Sequence, residues 1–192
     1  MLMGVKKLSN DPVRKNKDAI AFLRADHKLI REFFKEYEKT CSSFRKKKIV
    51  AALCRELSVH VRIEEEIFYP AFKKALKAKE LIAEATVEHA TLKGLIAQVE
   101  GVEPDGEMFD AKIKVMSKYV KHHFKEEQNE IFPKARNCKL DLVELGRQLA
   151  ERKAQLSGCN PPPKILMPAV TISSLSASTS RDMASSPAAN GS

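Results

Sequence analysis

His60-Val61-Arg62-Ile63-Glu64-Glu65-Glu66-Ile67-Phe68-Tyr69-Pro70-Ala71 is the stretch on which the fold turns. At about 100° per residue, His60 and Glu64 fall inside the same apolar stripe as Val50, Leu53, Leu57, Phe68 and Ala71, so this segment reads as a helix with two polar groups on its buried face. A second copy follows at His123-Phe124-Lys125-Glu126-Glu127-Gln128-Asn129-Glu130-Ile131-Phe132-Pro133-Lys134. In each copy a Glu follows the His by four residues and a Pro follows it by ten. The second stripe contains Phe109, Ile113, Met116, Val120 and Ile131, with His123 and Glu127 as its polar members. His122 points far from its centre.

Upstream of each copy lies another histidine, His27 before His60 and His89 before His123. His27 shares a helical face with Ile20, Leu23, Ile30 and Phe34. His89 shares one with Ile82, Ala85, Leu92 and Ile96. The periodicity predicts helices over about 17–40, 44–72, 77–101 and 106–133, and a shorter one over 139–156. Ser42-Ser43 can cap the second helix, Gly101 and Pro104-Asp105-Gly106 separate the third from the fourth, and Pro70 and Pro133 are expected to disrupt helix ends. Four long helices with short connections predict an all-α fold, an antiparallel up-and-down four-helix bundle with a short C-terminal fifth helix.

Composition agrees. Glycines and prolines number seven and nine in 192 residues, and only 6% of residues are aromatic, with no Trp, which argues against a turn-rich all-β fold. The net charge of +9 is unevenly spread: four positive charges of excess precede Asp18, one follows Ser157, and four remain between. Residues 1–17 read as a basic lead-in, 18–157 as the folded unit, and the Pro-, Ser- and Ala-rich segment 158–192 as a disordered tail. Within the unit, lysines alternate with acidic residues on outer helix faces, and the run Arg45-Lys46-Lys47-Lys48 has no aromatic residues to stack bases, which argues against nucleic-acid binding. Cys41, Cys54, Cys138 and Cys159 form neither a zinc-ribbon pattern nor a disulfide framework, and free thiols fit a reducing compartment. Without a long apolar run or an apolar leader, the expected location is the cytoplasm, with no membrane partner.

A single His on an apolar face is most simply a hydrogen-bonded core residue. Four of them, one per helix, together with two carboxylates, are costly to bury unless they satisfy one another or a shared ion. Imidazole and carboxylate donors without thiolate suit iron or manganese better than a closed structural zinc site, and six donors suit two ions better than one. The Glu-x-x-His spacing of ferritin-like dinuclear bundles is absent, because the residues three before the histidines are Arg24, Leu57, Thr86, Tyr119 and Val120. The zincin motif is absent too.

Taken together, Asp26-His27, His60-x-x-x-Glu64 with Ile-Phe-Tyr-Pro, Glu88-His89 and the second His/Glu helix ending in Ile131-Phe132-Pro133 resemble the hemerythrin-like, HHE cation-binding family over roughly 18–157. The resemblance implies a bundle around a non-haem di-iron centre, two irons with an oxo or hydroxo bridge. His27, His60, His89 and His123 would be terminal ligands, and Glu64 and Glu127 the bridging carboxylates. Two departures stand out. Oxygen-carrying members have a second His one turn along the third helix, where this chain has Ala85 and Lys93. They also use a five-residue His-to-carboxylate step on the fourth helix, which His122 and Glu127 satisfy, so His122 stays open as an alternative to His123. Glu130 and Tyr119, near the same stripe, are further donors to place. The expected function is binding or sensing of O2, NO or peroxide, with a capacity for modest oxidase or peroxidase turnover. The alternative is a non-catalytic iron-binding or interaction module that docks a partner through its lead-in or tail.

Overall fold

The computed structural model describes residues 18–76, 79–104 and 106–158. Helix α1 (Ala19–Lys39) starts where Asp18 accepts a 2.7 Å hydrogen bond from the Ala21 amide, two residues later than the periodicity alone placed it. Ser42 caps α2 (Ser43–Ile63) through the Arg45 amide, and Asp141 caps α7 (Leu142–Ser157) through the Glu144 amide. Between them lie α3 (Tyr69–Leu76), α4 (Lys79–Ala97), α5 (Gly106–Glu126) and α6 (Phe132–Arg136). Gly101 and Gly106, on either side of the α4–α5 turn, both have φ of 72°, a region that glycine enters without a Cβ clash. Among the described residues the chain is all helix and turn, and no helix is long and apolar enough to cross a membrane.

Neither proline ends its helix. α2 passes into a π-helical turn, Glu64–Phe68, and on into α3, while α5 passes through the π turn Glu127–Ile131 into α6. In both copies the closing amide, Tyr69 or Phe132, bonds to the carbonyl five residues back, at Glu64 or Glu127. Pro70 and Pro133 then fall in the first turn of the resumed α-helix, where a missing N–H does little harm.

The wider turn acts as a one-residue insertion, so everything after it is rotated back by about 100°. Ala71, expected in the core from unbroken periodicity, is therefore only partly buried, and Phe72 is fully buried in its place. Tyr69, about 180° from His60 on an unbroken helix, turns inward and is 2% exposed.

The helices pack antiparallel, with α7 lying across α1 and α2. Their apolar stripes form two separate cores. One contains Ile30, Phe34, Leu53, Leu57, Ile96, Ile113, Met116 and Phe124. The other contains Ile20, Leu23, Ile63, Phe68, Phe72, Ile82, Phe132 and Leu149. Full burial of each such side chain contributes about 1.5–3 kcal/mol, which holds the bundle closed above and below the polar layer between the cores. Free Cys54 is buried, Cys138 partly so and Cys41 exposed. The expected basic lead-in, the expected disordered tail beyond Gly158, and Cys159 lie outside the described residues.

Candidate metal centre

His27 on α1, His60 on α2, His89 on α4 and His123 on α5 converge between the two cores, each no more than 2% exposed. Glu64 and Glu127, the first residues of the two π turns, are 0% and 1% exposed. Donor atoms of His27, His60, Glu64 and Glu127 lie within 4.8 Å of one another, and so do those of Glu64, His89 and His123. Glu64 thus belongs to both groups. His60 Nε2 is 3.3 Å and His89 Nε2 is 3.5 Å from Glu64 Oε2. His27 Nε2 is 3.1 Å and His123 Nε2 is 3.6 Å from Glu127 Oε2.

The remaining sequence candidates are placed elsewhere. His122 is 62% exposed and faces Glu88 and Glu126 rather than the cluster. Glu130 is exposed, 3.7 Å from Lys134, and Tyr119 is only partly buried.

While all four Nε2 atoms face inward, each Nδ1 faces an outer polar group on another helix or turn. His27 Nδ1 meets the Gln128 amide at 3.0 Å, His89 Nδ1 meets Glu65 at 3.2 Å, and His123 Nδ1 meets Glu88 at 2.6 Å. His60 Nδ1 lies 3.8 Å from Asp26. The pattern is two-fold. Asp26 and Glu88 each precede one histidine and face another, and Glu65 and Gln128 each follow a cluster glutamate and contact a histidine across the bundle. Glu65 and Glu88 can accept the Nδ1–H of His89 and His123 and so leave Nε2 of those two rings as a donor, whereas the Gln128 NH2 orients His27 by donating to it and Asp26 lies beyond hydrogen-bond reach of His60. The sequence held a signal for them in their adjacency to His and Glu, but which ring each one serves is decided by the packing.

Two further residues escaped the sequence reading. The Tyr69 hydroxyl donates to Glu127 Oε1 at 2.8 Å, stands 3.3 Å from His89 Nε2, and its ring stacks on His89. Lys153 on α7 reaches in to Asp26 at 2.8 Å and Glu56 at 3.0 Å, and so ties α7 to the carboxylate that faces His60. Helical periodicity places Tyr69 on the wrong face, and Lys153 reads as a solvent lysine.

Charge in the layer is unbalanced. Burial, aided by repulsion from Glu127, holds the Glu64 carboxyl well above its usual range. Burial opposes ionisation of Glu127 as well, but His123 and His27 outweigh it and keep that carboxyl below its usual range. Burial lowers His27 to about 4, and burial together with His123 lowers His89 to about 2, so both rings are neutral donors at pH 7. Against the effect of burial, Glu127 and Glu88 raise His123.

Several inward atoms have no hydrogen-bond partner: the Nε2 atoms of His27 and His60, both oxygens of Glu64, and Glu127 Oε2. Each buried, unpaired polar group costs about 1–3 kcal/mol. One or more cations held among these donors would offset that cost, so the residues present fit a metal site built from imidazole and carboxylate.

Comparison with known proteins points the same way. The sequence profile described as Hemerythrin HHE cation binding domain matches residues 18–135. A crystal structure of a hemerythrin HHE cation binding domain-containing protein from Mycobacterium kansasii shares the fold, with a TM-score of 0.66 over 74% of this chain and 89% of that one, at 24% identity. A protein named DNA nickase from Nostoc sp. is 22% identical over 115 residues, which cover 60% of this chain and 32% of the nickase. The chain therefore spans about a third of that relative's length.

Proposed function

We propose, from the premise that the chain belongs to the hemerythrin HHE cation binding domain family, that its buried cluster holds a non-haem di-iron centre that binds or senses O2, NO or peroxide. His27, His60, His89 and His123 would be the terminal donors, and Glu64 and Glu127 the carboxylates shared between the irons. The observation that carries this reading is the set of buried, inward-facing nitrogen and oxygen atoms without hydrogen-bond partners. Bound iron supplies redox chemistry and Lewis acidity.

The protein's own part is donor placement and exclusion of bulk water. Gln128, Glu65 and Glu88 aim three of the rings, Asp26 faces the fourth at 3.8 Å, and Phe124, stacked 3.7 Å from His27, closes the layer against one core. Where a second imidazole would stand on α4, the chain has buried Ala85 on one side of His89, and on the other Lys93, which turns outward to Glu65. The Tyr69 phenol is the polar group beside His89 instead. With one imidazole fewer than an oxygen carrier of this family, the donor set leaves room for a small exogenous ligand. This favours sensing or modest oxidase or peroxidase turnover over reversible oxygen carriage.

The nickase similarity covers a minor part of that protein and supports a shared helical domain rather than a shared activity. The test is metal content per chain after growth in iron, with ultraviolet-visible spectra before and after reduction and re-exposure to air. Two irons per chain with near-ultraviolet bands that vanish on reduction are expected. Absence of iron, or one zinc without redox-dependent bands, would overturn the di-iron reading. Stable iron that does not respond to O2, NO or peroxide would favour the non-catalytic binding module.

A further inference from the structure

His122 was left over by the buried cluster, yet it repeats the cluster's own motif one residue out of step. His122-x-x-x-Glu126 lies beside His123-x-x-x-Glu127, rotated by about 100° so that it faces the groove between α4 and α5. His122 Nε2 is 3.0 Å from Glu126 Oε1 and 3.9 Å from Glu88 Oε1, and donor atoms of the three residues lie within 4.8 Å of one another. Among the described residues no lysine or arginine pairs with Glu88 or Glu126, nor with nearby Glu84.

Beside Glu88 and Glu126 of this triad is a cavity of about 30 Å³, room for a single water. Exposed or partly buried Glu84, Glu88, Glu126 and Glu130 and buried His123 and Glu127 share its lining with apolar residues. Glu127 is 1% exposed, and its Oε2 has no hydrogen-bond partner. Glu88 touches both levels, with Oε2 on His123 Nδ1 at 2.6 Å and Oε1 towards His122.

We propose that Glu88, His122 and Glu126 form a second, outer site for a divalent cation, from which the ion passes along this cavity to the buried cluster. Two carboxylates and one imidazole at a partly exposed position suit Fe2+, Mn2+ or Zn2+. Three protein donors leave the remaining positions to water, so the ion is held weakly enough to move on. Passage is ligand exchange: the ion gives up Glu126 and His122 as it gains Glu127 and His123, with Glu88 beside it at both levels. The passage half of the proposal rests on the buried cluster being a metal centre, whereas the outer site does not.

The probe is Mn2+, titrated into iron-loaded protein and followed by electron paramagnetic resonance of the free ion. Wild type is expected to bind one more Mn2+ per chain than the doubly substituted His122→Ala, Glu126→Gln protein, and His122→Asp, which keeps a donor, is expected to retain it. Equal binding by wild type and the double variant, with native far-ultraviolet circular dichroism in both, overturns the outer site. In a second measurement, Fe2+ uptake by metal-stripped protein is expected to be several-fold slower in the double variant with the same final iron content. An unchanged rate overturns the passage. If wild type takes up no iron at all, the buried-centre reading fails and passage with it, while the Mn2+ comparison still decides the outer site.

Discussion

Tyr69 donates a 2.8 Å hydrogen bond to Glu127, and so a residue at the end of the first His/Glu copy holds the carboxylate of the second. Its counterpart in the second copy, also directly before the proline, is Phe132, which stacks on His27 but has no hydroxyl to offer Glu64. The two-fold layer is therefore asymmetric: Glu127 Oε1 has a donor, whereas neither oxygen of Glu64 does.

Tyr69→Phe keeps the ring on His89 and removes only the donor. Loss of a hydrogen bond to a buried carboxylate costs about 1–3 kcal/mol, so the urea midpoint of the metal-free protein is expected to fall accordingly. An unchanged midpoint would mean that the hydroxyl does not hold Glu127 in solution.

His60→Ala and Glu64→Ala each remove a donor from the group formed by His27, His60, Glu64 and Glu127. Both are expected to lose at least half of the bound iron, measured per chain, while circular dichroism stays helical. Iron content equal to wild type in both variants would return these residues to a structural role.

Lys153→Met strands Asp26 and Glu56, which are 7% and 4% exposed. Removing one partner of a buried ion pair costs about 3–5 kcal/mol, and because Lys153 itself reaches solvent, about 2 kcal/mol is the expected loss of stability. Iron affinity is expected to fall as well, because Asp26, 3.8 Å from His60 Nδ1, would lose the lysine that holds it in place. A variant with native stability and affinity would show that α7 is an independent appendage.

Stability against pH follows from the sign of each shift. Folded Glu64, raised by burial and by Glu127, keeps a proton that the unfolded chain releases above about pH 4.5. Its contribution to metal-free stability is thus fully present below that pH and is lost as pH rises through its raised value. Burial lowers His27 to about 4, so from about pH 6.5 down to that value the unfolded chain takes a proton that the folded one refuses, and stability falls with acid. Glu64→Gln should abolish the first slope and keep the second, and at neutral pH it should stabilise the metal-free fold while impairing iron uptake. Urea titrations from pH 4.5 to 8 check this: raised His123 adds an alkaline decline of its own, so the decline is expected to shrink in the variant, and one as large as in wild type would count against the assignment to Glu64.

Local periodicity made most of the bundle legible. The core stripes of all four long helices were readable, as was one inward histidine on each, because burial of an α-helix repeats every 3.6 residues and a polar residue in phase with that repeat has only the core to face. The π turns broke the reading where phase itself changed. Past Glu64 a one-residue slip exchanged Ala71 for Phe72 in the core and brought Tyr69 inward, although no residue in Glu64–Phe68 marks the change in its own composition.

By itself, then, the sequence determined the helical class, the antiparallel order and the core-facing positions of His27, His60, Glu64, His89 and Glu127, all of which follow from spacing along one chain. Tertiary structure alone decided which outer residue orients which ring, that His123 and not His122 faces the core cluster, and that Lys153 on α7 is tied to Asp26. Those relationships join side chains from different helices. They depend on the rotation of each helix about its axis and on its packing distance, and neither is encoded in the periodicity of any one segment.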